Sequence, residues 1–418
     1  MTHLHPGGSA TLALDDTSQL QAHPDPGSGR TTATPRRRPR VGANLLWLVP
    51  GDVGGSEDYC VGLLRQLAQS GDVELAVFCQ PELAEAYPDL AEAGVLVPGP
   101  GLGERRSLRL FWENSWLPYQ VRHLGLDLVH HLGGTVPPVG STRAVLTVYD
   151  LQPLTHPERF RPAKRAWLRT ALPRSARHAT KVLTLSEHVR QHVVRHLGVA
   201  PHNVLVVPPG VRGARCRDDA TTQAAEAARR RHGFAPGAEL LLYPAIPYPH
   251  KNHEVLVRAM ADVVARRPEA TLVLTGRPGP CDDEINALAE QLGVGKAVRR
   301  LGRVPRADLD ALFDTAQALV FPSTYEGFGL PLLEAMTRGC PILAAEASAI
   351  PEIVGSNGVL VDPHDPAAWS DAIVDVLATP GRHTELAAAA SAGVARFRWE
   401  TTADAILAVY HDVFLRAA

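Results

Sequence analysis

ALVFPSTYEGFGLPLLEAMTRG, residues 318–339, joins an apolar run to a helical segment through a loop holding two glycines and a proline. ALVFPS reads as a buried strand, so Thr324, Tyr325 and Glu326 fall in the loop at its carboxyl end. Gly327 and Gly329 permit a tight turn and close backbone approach. Pro331 fits only the first turn of a helix, which sets the helix start near residue 330. Glu334 then lies one turn inside the helix, whereas Glu326 is not on it. A loop carboxylate, a helix N-terminus and a helix carboxylate are therefore gathered at one strand end. Helix N-termini bind phosphate, and carboxylates beside them accept hydrogen bonds from sugar hydroxyls. Alternatively, both glutamates only favour the positive end of a helix dipole.

The same strand–helix rhythm extends outward in both directions. Upstream, apolar runs at 43–49, 73–79, 126–131, 144–150, 181–186 and 203–208 alternate with segments of helical period such as GSEDYCVGLLRQLAQS (55–70) and SEHVRQHVVRHLG (186–198). VPPGVRGARC (207–216) interrupts the rhythm. It resumes with runs at 239–245, 271–276, 298–302, 318–323, 341–345 and 358–363, and with helices over 252–267 and 366–378. Such alternation predicts an α/β chain of two doubly wound parallel sheets. The expected layout is a disordered tail over 1–40, a first domain over 41–208, a second over 209–395, and a C-terminal helix within 396–418 that crosses back to the first. Ligands of open α/β sheets bind beyond the carboxyl ends of the strands, so a cleft between two facing domains is the expected site.

Composition narrows the class. The chain has 418 residues, 42 Lys and Arg against 44 Asp and Glu, and a formal charge of −2; nothing here attracts nucleic acid in bulk. Its five cysteines are scattered, with no CxxC pair, so neither a disulfide framework nor a zinc site is expected. No apolar stretch reaches the roughly 20 residues needed to span a bilayer. MTHLHPGGSATLALDD lacks the basic start and apolar block of a signal peptide, and a cytoplasmic location is expected. The tail ends in PRRRPR, a cluster able to touch an anionic membrane, so peripheral contact at the inner face of a membrane is a further expectation. Lysine occurs only at 164, 181, 251 and 296.

From residue 43 to the C-terminus the sequence resembles glycosyltransferase family 4, whose members have the two-domain GT-B fold with Rossmann-like halves facing a central cleft. The family's signature is a glutamate, seven residues and a second glutamate, within a phrase similar to EGFGLPLLEAMTRGCPIL. The resemblance implies that Glu326 faces the donor sugar and Glu334 the ribose hydroxyls. Gly327 follows Glu326, and backbone N–H groups of Phe328, Gly329 and Leu330 hold the distal phosphate. PGDVGGSEDYC (50–60) places Gly54 and Gly55 where the family's glycine pair approaches the donor diphosphate; it is not a GxGxxG dinucleotide fingerprint. In LYPAIPYPHKNHEVL (242–256), Lys251 falls where the family keeps a lysine to neutralise the departing diphosphate. The arginine that relatives carry five residues earlier is replaced by Ile246, leaving His250 or Arg277 to share the task, or Lys251 to act with helix N-termini alone.

TVYDLQPLTHPERF (147–160) resembles the first-domain loop, with Tyr149 in place of a histidine and Asp150 retained. Asp150 borders the sugar pocket or serves the turn. His130 and His131 are candidates for lining the cleft, Ser186 reads as an N-cap, and Arg303 and Val304 would shape the base pocket. Asp308 and Asp310 form a DxD that reads as helix capping rather than metal ligation.

The resemblance implies a retaining hexosyltransferase that moves a sugar, first of all mannosyl from GDP-mannose or another hexosyl from a UDP-hexose, to a glycan or lipid-linked acceptor in cell-surface polysaccharide synthesis. No metal or further cofactor is expected. A nucleotide-sugar epimerase on the same fold, or a non-catalytic nucleotide-sugar-binding protein, are the alternatives.

Overall fold

The computed structural model describes residues 37–51, 54–101, 106–140, 142–157, 161–211 and 219–416. Residues 1–36, most of the linker at 212–218, and Cys216 lie outside them. Among the described residues, thirteen strands form two sheets. In the first, β1 (Arg40–Asn44), β2 (Glu74–Cys79), β3 (Leu96–Pro98), β4 (Leu128–His131), β5 (Arg143–Val148), β6 (Lys181–Thr184) and β7 (Val204–Val206) are arranged in the order β3-β2-β1-β4-β5-β6-β7. In the second, β8 (Glu239–Pro244), β9 (Ala270–Thr275), β10 (Val298–Gly302), β11 (Ala318–Phe321), β12 (Ile342–Ala345) and β13 (Val359–Val361) run β10-β9-β8-β11-β12-β13. Neighbouring strands pair in parallel throughout. Parallel sheets must be covered on both faces, and the strands read accordingly: ALVF of β11 and ILAA of β12 are buried at every residue.

Two elements depart from the sequence reading. The first strand ends at Asn44 rather than running to 49. The Asn44 side chain accepts from the Leu46 N–H at 3.2 Å and Leu48 N–H closes a turn onto the Leu45 carbonyl at 2.9 Å, which ends the ladder although the residues stay apolar. The three-residue β3 was not anticipated, since VLVPGP gives too short a run for periodicity to register.

The helix Trp399–Leu415 packs on the first sheet. Arg143 donates to the Val413 carbonyl at 2.7 Å, and Thr402 Oγ1 to that of Pro208 at 2.9 Å. A Cβ on Gly62 would run into the Trp399 indole, so only glycine lets this helix close against Gly55–Ser70.

His130 contributes to the same joint. It is fully buried, with Nδ1 2.7 Å from Tyr410 Oη and Nε2 2.7 Å from Thr147 Oγ1. It does not line a cleft, contrary to expectation: β4 turns its side chain into the core. Burial lowers the imidazoles of His130, His131 and His253 from 6.5 to about 3 each. Each is neutral in the fold, whereas the unfolded chain protonates near its ordinary value. Stability is therefore full above about pH 6.5 and is lost as pH falls towards about 3. Between pH 7 and 5 the loss is expected to be about 2 kcal/mol per buried histidine. Urea unfolding at the two pH values checks this, and His130→Gln is expected to flatten the dependence.

Candidate functional site

The strand order of the second sheet reverses between β8 and β11, the position at which open α/β sheets bind their ligands. One carries Lys251 and the other Glu326. Lys251 closes a short 3₁₀ turn, Pro249–Lys251, and its carbonyl accepts from Tyr243 Oη at 2.7 Å. Asn252 follows in the left-handed region at φ 53°, from where its amide donates to the carbonyls of Pro322 at 3.2 Å and Pro363 at 2.7 Å. Thr324 N–H donates to the His250 carbonyl at 2.8 Å. The two loops are thus tied together before either charged side chain is considered.

The ties bring Lys251 Nζ to 2.5 Å from Glu326 Oε1, with the ammonium also 5.8 Å from the centre of the Phe321 ring. Ser323 Oγ donates to the same carboxylate oxygen at 2.6 Å. The Glu326 backbone is clamped by Ser348, whose hydroxyl accepts from the amide at 2.7 Å and donates to the carbonyl at 2.9 Å. Glu326 is largely buried, so its carboxylate is a fixed acceptor rather than a mobile surface group.

Gly329, at φ 99°, and Pro331 start the helix Leu330–Arg338, as the sequence implied. Its neighbour is the helix Gly55–Ser70 from the first sheet, entered through Gly54 at φ 64°. A Cβ on Gly55 would fall 2.7 Å from Leu330 Cδ1, so the two helix N-termini approach one another closely here. Neither start has a side-chain cap. Their partial positive charges therefore add across the gap. Gly51, nearby at φ 78°, leaves room for the Arg303 guanidinium.

Glu334 is paired with Arg306, which also holds Asp310 at 2.9 Å. Burial raises the Glu334 carboxyl, with Arg306 opposing and Asp58 and Asp310 adding. Asp310 also meets Arg338 at 2.7 Å, and Asp308 accepts from Arg231 and from His232 at 2.9 Å. Asp308 and Asp310 therefore do not cap their helix, contrary to expectation. The helix Arg306–Thr315 begins after Pro305 with no side-chain cap, and both carboxylates are drawn into ion pairs, Asp308 with Arg231 and His232 and Asp310 with Arg306 and Arg338. Among the described residues, no three His, Cys, Asp or Glu side chains are placed to hold a metal.

Asp150 comes from the loop after β5, in the other half of the molecule. Its carboxylate accepts from Gln152 N–H at 3.0 Å. Burial raises it, Glu326 raises it further, and Lys251 and Lys164 oppose. Asp150, Glu326 and Lys251 thus share one electrostatic neighbourhood. Tyr149 turns its phenol away, to 3.2 Å from Cys60 Sγ, while its carbonyl occupies the space where a Cβ on Gly327 would stand. His250 is buried, with Nε2 3.4 Å from Gln152 Nε2. Phe328 is buried with its ring 5.8 Å from that of Phe397, facing the core. Ile246 is half-buried, and the Arg277 carbonyl accepts from Arg300 at 3.1 Å.

Three further contacts join the halves, and only one involves a residue singled out in the sequence. Ser186 caps the helix Glu187–Leu197, accepting from Val189 N–H at 3.3 Å, and also donates to the Gly327 carbonyl at 2.7 Å. Glu352 accepts from the N–H groups of Glu187 at 2.7 Å and His188 at 3.3 Å, capping that helix from the opposite sheet. Leu151 N–H donates to Tyr325 Oη at 3.3 Å, and the rings of His156 and His188 lie 4.8 and 6.1 Å from that phenol. HVRQHVVRH repeats histidine every fourth residue, a signal of one shared helix face, though not of what that face meets.

The model of "Glycosyltransferase Family 4" matches residues 53–215, and that of "Glycosyl transferases group 1" matches residues 224–392. The chain is 31% identical to a D-inositol 3-phosphate glycosyltransferase of Streptomyces scabiei, covering 86% of each chain. It is 30% identical to one of Acidothermus cellulolyticus, covering 91% of each. Among solved structures, it is similar in fold to the sucrose-phosphate synthase of Thermosynechococcus elongatus (TM-score 0.72, 21% identity, 91% of this chain and 100% of that one). It is likewise similar to Anabaena Alr3699/HepE in complex with UDP and glucose (TM-score 0.69, 19% identity, 90% and 100%).

Proposed function

Because the chain belongs to glycosyltransferase family 4, has the GT-B fold and is a hexosyltransferase, we propose that it transfers a hexosyl group from a nucleoside diphosphate sugar with retention of anomeric configuration. The observation that carries this reading is the Lys251–Glu326 pair at the strand-order reversal, beside the contact of two uncapped helix N-termini. Those termini and the ammonium supply positive charge where a diphosphate leaves. Glu326 and Glu334 supply acceptors for sugar and ribose hydroxyls, Arg306 yielding Glu334 to the ribose. In the reaction the bond from the anomeric carbon to the phosphate oxygen breaks. A bond from that carbon to the acceptor oxygen forms on the same face. The acceptor's proton passes to the leaving phosphate, so no carboxylate need act as nucleophile.

Mannosyl from GDP-mannose is the first donor to test, on the resemblance of PHKNH and TVYDLQPL to mannosyl- and rhamnosyl-type transferases, with UDP-hexoses next. The acceptor class to test first is a phosphorylated polyol, because the relatives at 30 and 31% identity are named for D-inositol 3-phosphate. A glycan or lipid-linked acceptor is the second arm.

The test is incubation with UDP-, GDP- and dTDP-hexoses and each acceptor class, followed by NMR assignment of the new linkage. Retained configuration in a transferred hexose supports the proposal. Isomerised donor without acceptor, an inverted linkage, or binding without turnover across the panel would each overturn it.

A further inference from the structure

Three consecutive arginines, Arg229, Arg230 and Arg231, close the helix Asp219–Arg231, and two of them are matched by acids. Arg231 pairs with Asp308, and Arg230 lies 3.7 Å from Glu226 one turn back. Arg229 has no carboxylate partner among the described residues. Its Nη2 donates to the carbonyls of Ala238 at 2.8 Å and Ala235 at 3.3 Å, and its other N–H groups meet no acceptor among those residues. The side chain is half-buried, and burial pushes its guanidinium below the usual value with no acid opposing. A cation drawn out of water without a counter-charge is unfavourable, and an anion in contact with it removes that penalty.

Arg229 lines a cavity of about 580 Å³, the size of a small-molecule site. The walls are the helix Asp219–Arg231, the loop from Phe234 to Ala238, and the end of the helix Arg306–Thr315 with Gln317. Phe234 gives an apolar surface, and the Gln317 amide makes no hydrogen bond among the described residues. Two carboxylates also line the cavity, and both are already committed. Glu226 faces Arg230, and Asp314 is held at 2.7 Å by Arg338, which approaches from outside the lining. One positive charge is therefore left over. The segment 212–218, RGARCRD, adjoins the helix in sequence and has three arginines against one aspartate, so its charge has the same sign.

The cavity is separate from the transfer site. It lies where the chain enters β8 and β11, whereas Lys251 and Glu326 follow the ends of those strands. The length of β8 alone sets the two apart by roughly 20 Å.

We propose that this cavity binds a small organic anion, a phosphorylated or carboxylated molecule of sugar size whose charge pairs with Arg229 and whose hydroxyls meet Gln317. The inference is independent of the donor chemistry proposed above, because the site is remote from it and the measurement needs no turnover.

Glucose 6-phosphate, citrate, glucose and inorganic phosphate are titrated into the full-length protein by calorimetry at constant ionic strength. Glucose 6-phosphate, citrate or both are expected to bind, more tightly than inorganic phosphate and than glucose. Arg229→Gln removes the cation, and Ala235→Glu offers it a counter-charge from the exposed lip of the cavity. Each is expected to weaken binding of the organic anion about tenfold or more, through loss of a charge-assisted contact. Ala235→Glu leaves the ties from Arg229 to the two carbonyls in place, so it serves as the readout if Arg229→Gln misfolds, which near-UV circular dichroism reports. Three results would overturn the proposal. One is no binding of either organic anion. Another is unchanged affinity in a folded variant of either kind, which would put the anion elsewhere, such as the transfer cleft. The third is glucose or inorganic phosphate binding as tightly as the organic anions.

Discussion

Lys251→Ala is expected to lower kcat by about 10²- to 10³-fold at saturating donor, the range seen when one preorganised electrostatic contact to a developing charge is deleted. The substitution has a second effect that must be separated from the first. Lys251 is the cation 2.5 Å from the largely buried Glu326 carboxylate, so its removal leaves that charge with only the Ser323 hydroxyl for compensation. Breaking one side of such a pair costs on the order of a few kcal/mol, and the melting temperature should fall with it. Glu326→Gln added to Lys251→Ala removes the stranded charge. Stability is then expected to recover substantially while activity stays low, because the departing diphosphate still lacks its cation. Melting curves and initial rates on wild type, both single variants and the double variant measure the two effects on one set of samples. Lys251→Ala turning over at the wild-type rate would remove Lys251 from the chemistry.

The pair was legible in the sequence because each member sits at the end of an apolar run, where an α/β sheet exposes its loops. Scarcity of lysine also made position 251 stand out among arginines. Gly327 and Gly329 were legible as turn formers and Gly54 and Gly55 through the family resemblance; in the structure Gly55 lies against Leu330, Gly327 clears the Tyr149 carbonyl, and Gly329 sets the entry to its helix. Contacts between the halves were not legible. Glu352 and the amide of Glu187 are 165 residues apart, and nothing in IPEIVG marks a glutamate that caps a helix of the other sheet. Ser186 could be read as a cap from its local context alone; its bond to the Gly327 carbonyl, 141 residues away, depends on how the two sheets face each other. His130 failed for the converse reason. A histidine pair at a strand end has the same sequence signature whether its rings face a cleft or, as His130 does, Tyr410 and Thr147 in a core. Asp308 shows that a carboxylate in a first turn need not cap it when an arginine from a neighbouring element comes within reach.

Gly327→Ala is expected to depress kcat/KM by about 10²-fold or more, a loss typical of reacting groups displaced by an ångström. The obstacle is steric. A methyl group at 327 would overlap the Tyr149 carbonyl and lie 3.2 Å from Asp150 Cβ, so the loop bearing Glu326 and the loop bearing Asp150 cannot both keep their places. Neither neighbour can yield cheaply. Tyr149 is fixed through its phenol at Cys60 and its ring against Tyr59, 5.7 Å between centroids. On the other side the Gly327 carbonyl is held by Ser186, and the Glu326 backbone by Ser348. The alternative is for the two sheets to part, breaking the Ser186, Glu352 and Tyr325 contacts together. The strands and helices of each half persist in that event, so far-UV circular dichroism should change little. Small-angle scattering should show a larger radius of gyration, and hydrogen exchange at the amides of Glu187 and His188, which Glu352 covers, should speed up. Ser186→Ala deletes one of these bonds without introducing a clash and should move the same amides in the same direction by a smaller amount. An alanine variant at 327 with native scattering, protected amides and wild-type turnover would mean that the two loops do not need this approach to bring Asp150 towards Lys251 and Glu326.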